Sequence, residues 1–252
     1  MPGVAPTTSR ASSKRTYRSP TREQRARATR KRILTAARAE FLRLGYAATT
    51  IRAVAGAAGV SVPTVELVFG TKPQLLHTAI SFSIRGDDDP IPMLQRGWAV
   101  TAATSRSVSE FLAIVARVLV DGARLSAGLV VAAFESAHQD ESMRALCDQL
   151  RAQRLETAAW IVDGVIARSP LRPEIDRDGA IDSVWLLMDP RVFCALTQER
   201  GWAPERFELW FTDSVARLLL APDRTTGATA WRRRGSRSSA ATPAPTPQDS
   251  RS

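Results

Sequence analysis

The residues with the most suggestive types and spacing form one short run. Val54-Ala55, Gly59-Val60 and Val65 to Val68 are set as two short helices meeting at a tight turn require. Ala55 is small where the helices would cross. Gly59 falls where the turn needs a positive φ, which glycine adopts without a Cβ penalty. Val60, Val65 and Val68 are expected to fill the wedge between the helices, and Ser61 to satisfy free amides at the start of the second. This is the spacing of a helix-turn-helix, whose chemistry is surface reading rather than bond making. Catalysis has little to stand on. His77 and His138 are isolated, Asp87 to Asp89 fall in a loop, and no nucleophile elbow, phosphate-binding glycine loop or metal set is present. The chain is expected to be non-enzymatic, with no cofactor and no metal.

The elements that must position this run follow a helical period, and no alternating pattern argues for a strand pair. The first helix is expected from about Arg25 to Leu44, with Ile33, Ala37, Phe41 and Leu44 inward and Gly45 ending it. Thr49 or Thr50 caps a second helix that buries Ile51, Val54 and Ala55 and ends at Gly59. A third runs from Ser61 to Phe69, and a fourth, capped by Thr71, continues through Leu75, Leu76 and Ile80 to about Arg85. The acidic segment from Asp87 to Pro92 then breaks the pattern. Further helices are expected at Met93 to Thr104, Val108 to Asp121, Ala123 to His138, Glu141 to Arg168, Arg177 to Met188, Pro190 to Glu199 and Pro204 to Leu220. Asp189-Pro190 should interrupt the chain, with Asp189 as cap and Pro190 in a first turn. The fold class is therefore all-α: an N-terminal three-helix head (24–86), then a helical body (90–221), flanked by a basic arm (1–23) and a tail (222–252) without periodicity.

Charge follows the same division. The net charge is +10, yet up to Arg32 there are ten Lys/Arg against one acid, from Asp223 onward six against two, and between them 19 against 22. Basicity confined to the ends suits a folded body whose cationic arms meet a polyanion. Cys147 and Cys194 show neither a disulfide framework nor a zinc pattern, no apolar run approaches the roughly 20 residues that span a bilayer, and the N-terminus has no signal core. A cytoplasmic protein without a membrane partner is expected.

Ile33-Leu34, Ala36-Ala37, Phe41, Gly45-Tyr46, Thr49-Thr50-Ile51, Ala58-Gly59-Val60-Ser61, Thr64-Val65, Phe69 and Lys72 together resemble the DNA-binding domain of the TetR family over about Arg25 to Arg85. The match is to many spaced positions at once, so it is more specific than a lone glycine pattern. The resemblance implies a DNA-binding head, a helical body that binds a small-molecule effector, and a homodimer built by the last two long helices. It places the third helix in the major groove of a double-stranded operator, with Thr50, Thr64 and Lys72 on the phosphate backbone. Arg52 is a further candidate anchor. Contacts of this kind fix register without reading sequence.

The chain departs from the family pattern inside the third helix, which reads Val62-Pro63-Thr64-Val65-Glu66-Leu67-Val68-Phe69. Relatives commonly carry Gly near Pro63 and Tyr at Glu66. An acid can accept from cytosine N4, while Val62, Pro63 and Leu67 can press on thymine methyl groups. Base readout is thus expected to be apolar plus one acid, with affinity moved to Arg10, Lys14, Arg15, Arg18 and Arg22 of the arm, which suit a narrow minor groove.

In the last helix Phe207, Trp210, Phe211, Ser214, Val215 and Leu218 recur at three- and four-residue steps. One chain could bury this stripe internally; the favoured expectation is that, with Trp185, Leu187, Val192 and Leu196, it forms a four-helix dimer interface. Trp98, Phe111, Phe134, Met143, Trp160 and Met188 are large apolar groups spread over the body helices, each read first as core and second as a candidate wall of an effector pocket. Few basic residues adjoin them, which suggests an apolar or weakly polar effector. The expected function is a ligand-released homodimeric repressor. Two alternatives stand beside it: a sequence-independent architectural binder that uses the basic ends, and a helical enzyme or ligand carrier.

Overall fold

The computed structural model describes residues 20–222 except 88, 90, 139 and 140. These form α1 (Pro20–Ala48), α2 (Ile51–Ala58), α3 (Val62–Phe69), α4 (Lys72–Arg85), α5 (Gly97–Thr104), α6 (Val108–Glu135), α7 (Glu141–Ile166), α8 (Arg177–Leu187), α9 (Pro190–Cys194) and α10 (Pro204–Leu219). A 3₁₀ turn, Met93–Gln95, precedes α5, and a π-helical turn, Ala195–Glu199, continues α9. The fold is all-α. Arg10, Lys14, Arg15 and Arg18 of the expected arm lie outside the described residues, as does the tail from 223.

Helix boundaries follow local chemistry. Gly45 breaks α1 at φ +74°, and the chain bends before a last helical turn. Thr49 is fully buried, its hydroxyl donating to the Gly45 and Glu40 carbonyls at 2.7 and 3.1 Å, so it closes α1 while Thr50 caps α2. Leu44, expected inward, is instead exposed beside the break. Tyr46, beyond it, is buried and stacks on Phe41. Asp189 caps α9 by accepting from Arg191 N at 2.8 Å, and the chain restarts at Pro190 as expected.

Two expectations need correction. The first helix opens at Pro20 rather than Arg25, so the last positions of the expected arm are helical. The break expected near Gly122 is absent, and α6 runs unbroken from Val108 to Glu135. Glycine in a helix interior costs about 1 kcal/mol, but here it lets α4 approach. A Cβ on Gly122 would lie 3.2 Å from the Ile84 carbonyl oxygen.

The core forms two clusters. One joins Ile33, Leu34, Phe41, Val54, Val65 and Ile80 of the head to Leu129, Phe134, Met143 and Cys147 of α6 and α7. The other lies between α5, α6, α7, α8 and α10 around Phe111, Ile161, Val184 and Phe211. The head thus packs directly on body helices. Arg38 Nε reinforces this seam by donating to the Leu125 carbonyl at 2.9 Å.

Candidate nucleic-acid interface

Two eight-residue helices build the site, α2 and α3, bent by 106° across Gly59, Val60 and Ser61. That angle is in the range of helix-turn-helix motifs. Gly59 sits in the left-handed region at φ 63°, ψ 42° and donates to the Ala55 and Gly56 carbonyls, ending α2. Ser61 then caps α3, its Oγ accepting from Thr64 N at 3.3 Å and lying 2.8 Å from Thr64 Oγ1. Val65 and Phe69, four residues apart, bury one face of α3 against the head. Val60 packs partly against the same cluster. Val68, expected in the wedge, is instead exposed, because the buried stripe follows the 65–69 step and leaves it on the flank.

The opposite face of α3 points to solvent. Leu67 is 88% exposed, and Ser61, Pro63 and Glu66 are exposed beside it, with Val62 and Thr64 half-buried at the edge. A single open leucine is ordinary on a protein surface, but here the whole face from Ser61 to Leu67 stays open behind the packed Val65–Phe69 stripe, free to meet another surface. Arg52 on α2 is also exposed and makes no ion pair among the described residues. Arg30 of α1 lies over the Phe69 ring at 4.7 Å and fixes the end of α3 to the basic part of α1.

Lys72 is placed differently from the expectation of a phosphate-facing cation. Its ammonium donates to the carbonyls of Tyr46, Ala47 and Thr49 at 2.9, 3.3 and 3.0 Å and lies 4.2 Å from the Tyr46 ring centroid. Three protons directed at three carbonyls hold the α1–α2 corner, and through it the start of α2. Thr50 accepts from Ala53 N at 3.1 Å.

Residues 33–79 match the family model for bacterial regulatory proteins, tetR family. The match contains the whole of α2 and α3 with the turn between them. The head is thus of the tetR type, over the residues that the family model matches. Solved TetR-like folds agree over most of the chain. A transcriptional-regulator structure from Saccharomonospora viridis, in complex with choline, is 18% identical, covers 77% of this chain and 99% of its own, and superposes with a TM-score of 0.59. NalD, the secondary repressor of the MexAB-OprM multidrug efflux pump in Pseudomonas aeruginosa, is also 18% identical, with coverages of 79% and 100% and a TM-score of 0.56. The fatty acid degradation regulator FadR from Bacillus halodurans is 14% identical, with coverages of 74% and 94% and a TM-score of 0.57. At these identities the likeness concerns the fold alone. No curated protein matches the chain.

Beyond the TetR head, the body holds a partly open cavity of about 440 Å³ between α4, the 3₁₀ turn and α5 to α10. Of the six expected wall residues, Trp98, Phe134 and Met188 line it. Phe111 and Trp160 pack on one another at 5.4 Å, with Trp160 also against Trp98 at 5.6 Å, and do not line it. Met143 is buried in the head-side cluster. Sequence reasoning missed Arg85 and Arg154, which line the cavity and correct the expectation of a wall poor in cations. Arg154 donates to Asp189 at 2.6 Å and lies 3.9 Å over the Trp185 ring. Neither arginine stands out in sequence, where Arg85 precedes Asp87 to Asp89 and Arg154 lies between Arg151 and Glu156. The packing of α4 on α7 brings both into the wall of one cavity.

The expected dimer residues also divide. Phe207, Phe211 and Val215 form, with Leu219, the inward stripe of α10 and are buried in the chain's own core. This assigns to internal packing three residues expected at an interface. Trp185, Val192 and Trp210 are half-buried, and Leu218 is exposed. Burial lowers the His77 pKa, with Arg85 adding to the effect, and burial pushes both cysteine thiols up. No single helix among the described residues is long and apolar enough to cross a membrane.

Proposed function

We propose that the chain is a homodimeric transcriptional repressor that holds an operator through α3 and releases it when a small molecule occupies the body. One observation carries the reading: behind a glycine turn and a 106° bend, a capped helix packs one face through Val65 and Phe69 and leaves the other open to solvent. Val62, Pro63, Glu66 and Leu67 then meet base edges, while Thr50, Arg52, Ser61 and Thr64 meet phosphates. Lys72 acts by setting the corner from which α2 approaches the backbone. The dimer forms on the parts of α8, α9 and α10 outside the chain's own core, including Trp185, Val192, Trp210 and Leu218. A twofold dimer demands two symmetric half-sites. An effector that favours a head spacing unable to reach both half-sites shifts the population away from DNA. One fold neighbour carries choline and another represses an efflux pump, which accords with an effector-binding body.

The test is selection of duplexes by the purified full chain from a random pool, followed by titration of the selected and scrambled sites. A preference of about a thousandfold or more is expected. Equal affinity with a steep salt dependence sinks the reading in favour of an architectural binder. In the selected site, Glu66→Ala should relax preference at the base pair it faces. Removal of the chain before Thr21 should flatten the salt slope.

A further inference from the structure

The wall of the cavity is mostly apolar, including Val118, Leu119, Phe134, Phe193 and Phe211. Beside its ordinary polar groups it holds several without a partner. Among the described residues, the buried side-chain nitrogens and oxygens without a hydrogen-bonding partner are Arg85 Nε, Trp98 Nε1, Arg154 Nε and Ser83 Oγ. The first three belong to residues lining this cavity, whereas Ser83 lines a smaller cleft beside it. All three nitrogens are hydrogen-bond donors that cannot accept. The buried acid of the wall is already engaged. Asp189 Oδ1 takes Arg191 N–H at 2.8 Å, and Oδ2 takes Arg154 Nη1 at 2.6 Å. Glu156, the other acid, is exposed.

A buried donor without a partner costs more than a formed hydrogen bond returns, so what fills this space must bring acceptors. A carboxylate offers two oxygens with about four lone-pair sites and the charge that guanidinium groups favour. A space of this size fits the usual range for small-molecule pockets, roughly 300–1,000 Å³. We infer that the effector is an amphiphilic carboxylic acid, its chain among the apolar wall residues and its carboxylate on the N–H groups of Arg85, Trp98 and Arg154. This rests on the proposed reading of the body as an effector site and gives that effector a chemical class.

The experiment uses three probes of equal chain length, decanoate, decanol and decyltrimethylammonium, titrated calorimetrically into the full chain. The same probes are then added to its complex with a selected operator. Decanoate should bind about tenfold more tightly than either of the others. Trp98→Phe removes the indole N–H and keeps an aromatic ring; it should weaken decanoate about tenfold and leave decanol unchanged. Arg85→Gln provides the same comparison if Trp98→Phe does not fold. Decanol or the ammonium binding as well as decanoate overturns the carboxylate class, and if that probe also releases DNA the repressor reading stands. Decanoate binding with the expected selectivity but without release upholds the class and refutes release by effector. Binding of none of the three overturns the inference.

Discussion

Replacing Lys72 by methionine separates two roles that a cation at this position can play. Its ammonium donates to Tyr46, Ala47 and Thr49 carbonyls within 3.3 Å and sits 4.2 Å from the Tyr46 ring. A hydrogen bond to a charged group contributes about 1.5–3 kcal/mol and a partly exposed cation–π contact about 0.5–1. The three bonds share one half-exposed ammonium, and the released carbonyls can turn to water, so they do not add in full. The expected loss is about 2–3 kcal/mol. For a folded region of this size each kcal/mol lowers Tm by roughly 2–4 °C, which predicts a drop of about 5–10 °C by circular dichroism. The dependence of operator affinity on salt should keep its slope, whereas loss of a direct phosphate contact lowers that slope by about 0.9. An unchanged Tm together with a lowered slope would refute the corner-holding role.

Leu67→Ala should leave stability within about 0.5 kcal/mol, since Leu67 is 88% exposed, while reducing selectivity for operators with thymine at the facing position. Equal selectivity in quantitative gel shifts would remove Leu67 from base readout. At Gly164 an added Cβ would run into the Phe111 ring, so Gly164→Ala should cost about 1–3 kcal/mol in urea denaturation. Adding Phe111→Leu should restore part of that loss, and strict additivity would show that the two do not touch. Asp87, paired with Arg96 at 2.7 and 2.8 Å, has its pKa lowered from 3.8 to about 2, first by that hydrogen bond. A depressed folded-state value means the pair stabilises above the ordinary pKa and loses its effect as pH falls toward the depressed one. Asp87→Asn should therefore flatten stability against pH between 3.8 and about 2, and above that range lower it by a constant amount without changing its slope, as read from urea denaturation across pH.

The head was legible because each of its signals is local. Gly45, Gly59, Ser61 and Thr71 act within four residues of their own positions, and their effects reappear in the structure as a bend, a left-handed turn and two caps. The true start of α1 was legible too. Pro20 with Glu23 just after it is a helix-start pattern, overlooked because the surrounding composition resembles a linker. Gly122 misled as a break, because a helix-weakening residue is kept there for the approach of α4, a reason that no window on α6 contains. On α10 the period identified the apolar stripe but not its partner. A stripe at 207, 211 and 215 reads the same whether it meets its own chain or another.

The cavity was illegible for a deeper reason. Its character depends on which groups are left without partners after folding, and that is a property of several helices at once. Arg154 reads as one more solvated charge on α7, since nothing near it in sequence pairs with it. The pairing comes from Asp189, 35 positions later, which is free to accept because the Pro190 restart aims its carboxylate as a cap. Arg85 ends α4, the helix whose other end carries Lys72 and the corner of the DNA-facing head. One rigid element of 14 residues therefore joins a donor in the cavity wall to the turn that orients α2. An occupant that pulls on Arg85 must either move α4, and with it the corner, or leave its own acceptor unpaired. The cost of the second choice gives the ligand a grip on the position of the head.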